Sequence, residues 1–440
     1  MKIKTHPILI FSIIGVALLA VGFGQSWNVS LSIFNLCLIS SIMALGLNMQ
    51  WGYAGLPNLG VMGFTALGGL AGVLVSKPPV PEAWAKGGID LGLAAIMLIT
   101  TVLVIVFIRR KILNKKLKNI LTIIGIVGGY FLVRMFFNPA VEAIESIDSS
   151  RTGYLGGAGL PIIFSWLVGA IFAGFAAWLI GKISLGLRAD YFAIATLGIS
   201  EIIIAILKNE DWLSRGVKNV TGLKRPVPYE IDLQESYWFS ELSSWLGTDI
   251  IDASSIFVKL SYALIFIVVL LVLIWLTERA LNSPWGRMMR AIRDNEDAAA
   301  AMGKNVKKRH LQVFILGAAI VGLAGAMLTT LDGQLTPASY SPLRYTFVIW
   351  VMVIVGGAGN NLGSVAGAFT IWFIWVEAEP AGLWLMDQIT ANLSEENNFR
   401  QHLLEGAPHM RVIVMGTILL LVLRFSPKGL IPEKTRRQKE

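Results

Sequence analysis

Cysteine, histidine and charge are all scarce in this chain. One cysteine and four histidines occur in 440 residues. The single thiol, Cys37, lies inside an apolar run, which excludes an intrachain disulfide and any cysteine-based metal cluster. His6, His310, His402 and His409 form no HExxH or comparable ligand pair. Asp, Glu, Lys and Arg together make up 15% of the chain, where a soluble domain would carry about 25%. No G-x-x-x-x-G-K-[ST] loop is present; Gly181-Lys182 lacks both the earlier glycine and the following Ser or Thr, so the sequence offers no site for hydrolysing ATP. No segment between apolar runs is large enough to be a separate enzymatic domain.

What remains is mostly hydrocarbon. Apolar residues make up 55% of the chain, and the mean hydropathy is +0.66. Stretches near the roughly 20 residues that cross a bilayer fall at 7–24, 29–49, 57–75, 89–108, 119–137, 161–181, 191–207, 256–276, 311–331, 344–359, 363–379 and 410–425. Four of these (57–75, 191–207, 344–359, 363–379) are short or broken by glycine, which is compatible with re-entrant segments. The expected fold is all-α, one polytopic membrane domain over 1–440 with 10–12 transmembrane or re-entrant helices.

Charge sets the expected orientation. With an even number of crossings and both ends inside, the inner segments are 1–6, 109–118, 182–190, 277–310 and 424–440. They hold 24 of the 37 Lys and Arg but 7 of the 28 Asp and Glu, a net +17. The remainder is −8, so the overall +9 is a topology signal. Basic residues divided among membrane edges exclude nucleic-acid binding, and Arg109–Lys118 reads as a stop-transfer anchor. The start, Met1-Lys2-Ile3-Lys4 before an apolar run, resembles a secretory signal with a weak cleavage site (Ala20-Val21-Gly22), and is expected to be a retained first helix. Two long outer loops, 208–255 and 377–409, are acidic. Trp238, Leu242, Trp245 and Leu246 in the first suggest a short helix lying at the interface, as an aromatic anchor or as a docking surface for an outer partner.

Polar residues inside apolar stretches mark where function would reside, because lipid penalises them. Asn48-Met49-Gln50-Trp51-Gly52-Tyr53-Ala54-Gly55-Leu56-Pro57-Asn58-Leu59-Gly60 ends one stretch and opens the next. Gly357-Ala358-Gly359-Asn360-Asn361-Leu362-Gly363 does the same later, with a shared Ala-Gly…Asn-Leu-Gly core that reads as an internal repeat. Broken segments in matching positions point to the path of repeat-built transporters, so Asn48, Gln50, Tyr53, Asn58, Asn360 and Asn361 are candidate path residues. Small residues packing helices together is the alternative. Glu201, ten residues into its apolar run and some 15 Å from the inner end, is a further candidate. It could also pair with Arg188 or lie near the outer surface.

Between Leu276 and Leu311 lies a charged insert of about 35 residues. Ser283 suits an N-cap and Pro284 a first helical position. Trp285, Met288, Met289 and Ile292 form one stripe. Arg290–Asp294 and Arg293–Asp297 are spaced as i, i+4 pairs, and Gly303 suits a C-terminal stop. The expectation is an amphipathic helix at the inner face, gripped by a soluble motor; its mixed charge argues against a lipid-binding helix.

Asp297-Ala298-Ala299 followed by Gly303 resembles the EAA-x-x-x-G loop of ABC importer permeases, with Asp in place of Glu. The longer run SPWGRMMRAIRDNEDAAAAMGKNV at 283–306 resembles that loop in LivM-type permeases of branched-chain amino-acid importers. So do GLNMQWGYAGLPNLGVMGF at 46–64, LRADYFAIATLGISEII at 187–203, VGGAGNNLGSVAGA at 355–368 and FSPKGLIPE at 425–433. The resemblance covers nearly the whole chain; the 76–160 region and the enlarged outer loops depart from it. It implies a subunit of the bacterial inner membrane, with both termini cytoplasmic and no cofactor of its own. Its implied partners are a LivH-like second permease, two cytoplasmic ATPases that use ATP, and a periplasmic binding protein. Trp285, Arg287, Arg290, Arg293, Asp294, Glu296, Asp297, Ala298 and Gly303 would then couple to the motor. Branched-chain or other small amino acids are the expected cargo, with urea or amides the alternative. An ion-coupled carrier relying on Glu201 and a non-transporting scaffold are the rivals.

Overall fold

A backbone in hydrocarbon must satisfy its own hydrogen bonds, so the apolar runs fold as helices. The computed structural model describes residues 7–148, 152–394 and 397–433; the basic ends 1–6 and 434–440 that enter the charge count lie outside the described residues. The helices are α1 (Pro7–Gly24), α2 (Trp27–Leu47), α3 (Val61–Ser76), α4 (Pro81–Lys111), α5 (Lys115–Glu145), α6 (Ile163–Ser184), α7 (Ala189–Asn209), α8 (Asp211–Ser214), α9 (Glu230–Glu235), α10 (Tyr237–Leu246), α11 (Ile250–Asn282), α12 (Pro284–Asp294), α13 (Glu296–Ala301), α14 (Val306–Asp332), α15 (Pro342–Gly356), α16 (Asn361–Ile389), α17 (Asn398–Gly406) and α18 (Met410–Phe425). Among the described residues, nine helical stretches are long and apolar enough to cross a membrane; α3 and α15 are shorter apolar helices. Eleven of the twelve apolar runs overlap one of these, and the twelfth, 363–379, lies in α16. The run at 57–75 becomes helical only at Val61, after Pro57, and the run at 363–379 continues to Ile389 with Pro380 inside the helix.

Connections alternate between two sides. On one side a two-residue antiparallel pair, β1 (Val220–Thr221) with β2 (Gln334–Leu335), joins the long 208–255 loop to the connection between α14 and α15. Lys77 Nζ donates to the Gly222 carbonyl there at 3.0 Å. On the opposite side lies α12. On the β1 side, α10 forms with its stripe facing outward: Trp238, Leu242, Trp245 and Leu246 are exposed, the face an interface or a partner would meet, and Phe239 on the other side is buried.

The centre is packed by small residues. A Cβ on Gly68 of α3 would sit 1.9 Å from the Gly322 carbonyl oxygen of α14, and one on Gly322 would meet the Ala173 Cβ and the Gly169 carbonyl of α6. The three backbones are therefore as close as backbones can be, the geometry small residues permit in membranes. Phe314 fills the space beside them, edge-on to Phe64 and Phe192. The α4–α5 hairpin is built differently. Its two helices pack along each other, with Gly129 against Thr101 and Gly87 against Ile144, and otherwise expose their apolar side chains. It is fastened at its β1-side end, where Trp84 Nε1 donates to the Leu155 carbonyl at 3.0 Å and Glu145 accepts from the Trp212 N–H at 3.2 Å.

Candidate functional site

On the α12 side, the insert helix meets both chain breaks. Met289 and Ile292 are buried, with Trp285 and Met288 packed partly beneath the helix, as the stripe predicts. Gly286 lies against the Leu281 backbone, too close for any side chain. Trp285 Nε1 donates to Gln312 Oε1 at 3.3 Å, tying α12 to α14. Ser283 does not cap: its hydroxyl turns back to the Ala280 carbonyl at 2.6 Å.

The expected single helix is two. Asn295 is extended (φ −158°, ψ 101°), and its side chain caps α13 by accepting from the Ala298 N–H at 2.9 Å. An Asn oxygen offers the backbone this alternative to continuing the helix. The break removes one of the expected ion pairs, because Asp297 no longer lies a turn above Arg293. The other fails because Arg290 reaches back to the Leu281 carbonyl at 3.3 Å. Arg287 similarly donates to the Asn282 carbonyl. Glu296, Asp297 and Ala298 are exposed. Gly303 stops α13 as expected: at φ +76° it lets its own N–H reach the Ala300 carbonyl and the Lys304 N–H reach Ala299, a Schellman arrangement.

Arg293 is the junction. It pairs with Asp294 at 3.1 Å and with Glu433 at 3.0 Å, and its third contact is the Gly52 carbonyl. Gly52 ends a π-helical turn, Asn48–Gly52, that finishes α2. The turn brings Asn48 against the second break: its Oδ1 accepts from the Gly359 N–H at 2.9 Å and its Nδ2 donates to Asn361 Oδ1 at 3.2 Å. Asn361 in turn donates to Thr277 Oγ1 and Glu278 Oε1, at the end of α11. Gln50 donates to the Phe314 carbonyl at 2.9 Å and accepts from Asn58 Nδ2 at 2.8 Å. Asn58 Oδ1 accepts from the Gly60 N–H, and its carbonyl accepts from Trp350 Nε1. Asn360 caps α16 and donates to the Pro432 carbonyl. Residues 430 and 431 add backbone bonds to Val355 and Gly356.

Position 52 admits only glycine, since a Cβ would lie 2.1 Å from Asn48 Oδ1; Gly359, at φ +82°, meets the Glu433 carboxylate and the Arg293 guanidinium. Tyr53 is buried beside them, its phenol held above the usual range by burial and then by Glu278 and Glu433. Asn48, Gln50, Asn58 and Asn361 are fully buried, with their amides hydrogen-bonded inside the chain. Losing one partner from such a network costs about 1–3 kcal/mol. The arrangement links the ends of α2, α11, α12, α14, α15 and α16 to the 429–433 segment. Among the described residues no group of three His, Cys, Asp or Glu is placed to hold a metal ion.

Glu201 lies apart from this cluster. It is on the exposed stripe of α7, with Tyr191, Ile194, Gly198 and Ala205. It makes no pair with Arg188, which lies thirteen residues and about 20 Å away along the chain. Glu433, Glu278, Thr277 and Gln312 escape the sequence reading. Glu433 alone leaves a trace, as an isolated acid in the basic run from Arg424 to Lys439.

Residues 29–423 match the family model of the branched-chain amino acid transport system permease component. The chain is 26% identical to the probable branched-chain amino acid transport permease protein LivM of Methanocaldococcus jannaschii, covering 89% of this chain and 90% of that one. It is 24% identical to the high-affinity branched-chain amino acid transport system permease protein LivM of Escherichia coli, over 55% of this chain and 51% of that one. A shorter similarity, 26% over 25% of this chain and 31% of the other, links it to the fructose import permease protein FrcC of Rhizobium meliloti. No solved structure gives a significant match. With nine membrane-length apolar helical stretches among the described residues, an insert helix fastened to both chain breaks and a family match over almost its whole length, the chain belongs to the LivM-type permeases of ABC importers.

Proposed function

We propose that this chain is one of two membrane halves of an ATP-driven, binding-protein-dependent importer of branched-chain or other small amino acids in a bacterial inner membrane. The α12 side is cytoplasmic, as the basic segments require. A LivH-like half completes the translocation unit, two ATPases grip α12 and α13, and a binding protein delivers solute at the β1 side. The names of the LivM relatives support the amino-acid cargo. The observation that carries the mechanism is Arg293, which fastens the lever helix to the carbonyl ending the first break and, through Glu433, to the second. A push on α12 therefore reaches both breaks without passing through flexible chain. Exposed Glu296, Asp297 and Ala298 form the surface offered to the motor. Asn48, Gln50, Tyr53, Asn58, Asn360 and Asn361 transmit the displacement to the route. Glu201 faces the route itself: an unpaired carboxylate on an outward face is expensive in lipid, so water or the second permease covers it.

The test is leucine uptake into proteoliposomes holding both permeases and both ATPases, with the binding protein added. Arg293→Ala is expected to cut uptake at least about tenfold, the scale of losing a charged hydrogen bond of about 1.5–3 kcal/mol, while ATP hydrolysis continues. Wild-type uptake driven by an imposed ion gradient without the ATPases would overturn the energy source; unchanged uptake in Arg293→Ala would overturn the lever.

A further inference from the structure

A cavity of about 1080 Å³ lies between the α4–α5 hairpin and the end of α7. Its walls are apolar, with Leu91, Ala95, Leu98, Val133 and Val141 among them. One cation, Arg134, projects into it. Its Nη1 donates to Tyr130 Oη at 2.8 Å and its Nε to Asn138 Oδ1 at 3.3 Å. Among the described residues no carboxylate pairs with Arg134, so its second terminal nitrogen keeps both donors. The β1-side rim carries Trp84, Trp212, Glu142, Glu145 and Glu210. Trp212 Nε1 donates to Glu210 at 2.6 Å and its ring stands edge-on to Phe137.

Depth decides what such a cavity holds. The apolar part of α5 ends near Phe137, so Arg134 lies only about 5 Å inside that boundary, at 1.5 Å per residue. The rim tryptophans lie outside the same boundary, where tryptophan anchors to headgroups. A guanidinium at this depth with no protein anion, above apolar walls open to the bilayer at exposed Leu98 and Tyr130, has the order of charges of a bound phospholipid. The acyl chains fill the apolar space and the phosphate meets Arg134. The cavity is also at the upper end of small-ligand sites, about 300–1,000 Å³, and larger than a free amino acid needs. Three carboxylates at the rim disfavour a second negative charge in the headgroup.

We propose that this cleft is a binding site for one phospholipid with an amine-bearing headgroup, its phosphate on Arg134. The lipid fills the space between hairpin and body and fastens the one to the other. This inference stands on the hairpin alone and is independent of what the permease carries.

The experiment uses the full chain, delipidated in mild detergent and then exposed to phosphatidylethanolamine or phosphatidylglycerol, with bound lipid counted by native mass spectrometry. One retained phosphatidylethanolamine per chain is expected. Arg134→Gln should weaken retention about tenfold, in line with a charge-assisted hydrogen bond. Gly92→Trp fills the cleft from the opposite wall, where open space surrounds the glycine, and should expel the lipid without touching Arg134. E142Q/E145Q/E210Q should erase an about twofold to fivefold preference for the amine headgroup, the scale of exposed charge pairs. Equal retention by Arg134→Gln and Gly92→Trp would overturn the site. Stoichiometric displacement by leucine would make it a solute site and overturn it equally.

Discussion

The α3–α6–α14 centre and the α4–α5 hairpin are both pairs or triples of apolar membrane helices, yet they obey opposite rules. In the centre, glycines bring backbones into contact, and Asn48, Gln50, Asn58 and Asn361 at its α12-side end are hydrogen-bonded within the chain. In the hairpin, 31-residue helices touch mainly each other and present leucine and isoleucine outward. The difference teaches that apolarity alone does not define a packing surface in a membrane. Contact follows shape, because lipid solvates a leucine as well as another leucine does.

The sharpest way to break this comparison is one substitution made in both places. Gly68→Leu or Gly322→Leu puts a side chain where a carbonyl already stands. Overpacking a fitted core costs about 1–3 kcal/mol and more when backbone must move, so little monodisperse protein should survive size-exclusion chromatography. Next in size is Asn58→Ala, which leaves Gln50 Oε1 and the Gly60 N–H without their buried partner. It should lower thermal stability in detergent by about 1–3 kcal/mol. Glu201→Gln separates exposure to lipid from exposure to a route. With no partner to lose, it should leave the melting temperature unchanged and slow uptake several-fold; a fall in folded yield instead would make Glu201 structural. Smallest of all is Gly128→Leu in the hairpin, where nothing lies within 4 Å. Its effect should stay within about 0.5 kcal/mol, the range of surface changes, and a larger loss would show that the hairpin face is packed against protein.

The helices were legible because crossing hydrocarbon requires long apolar runs, and each of the twelve runs overlaps one. The stripe on α12 was legible too, since Met289 and Ile292 are fixed by helical period. The ion pairs were not. Spacing assumes an unbroken helix, and Asn295 breaks it with a side-chain bond that competes locally with the next turn. The partners of Arg293 could not be read at all: Gly52 and Glu433 lie 241 and 140 residues away, and no period links them. Asn48, Asn58 and Asn361 were recognisable as polar residues in apolar surroundings, but their burial and mutual pairing depend on two breaks meeting in space. On α10 the period gave the helix and its free stripe, Trp238, Leu242, Trp245 and Leu246, but not Phe239, the side chain that anchors it, because a single buried aromatic leaves no period to read.

The place of Glu433 in the chain bears on how the molecule is made. It follows α18, so the Arg293 knot closes only after the ribosome has delivered α1 to α18. Until then α12 is held by Trp285, Arg290, its apolar stripe and the Arg293 contact with the Gly52 carbonyl, without its tie to the second break. A growing chain thus holds an insert helix that is already joined to the first break but not yet, through Glu433, to the second. The order of synthesis thus leaves the join between the insert helix and the second break to the last.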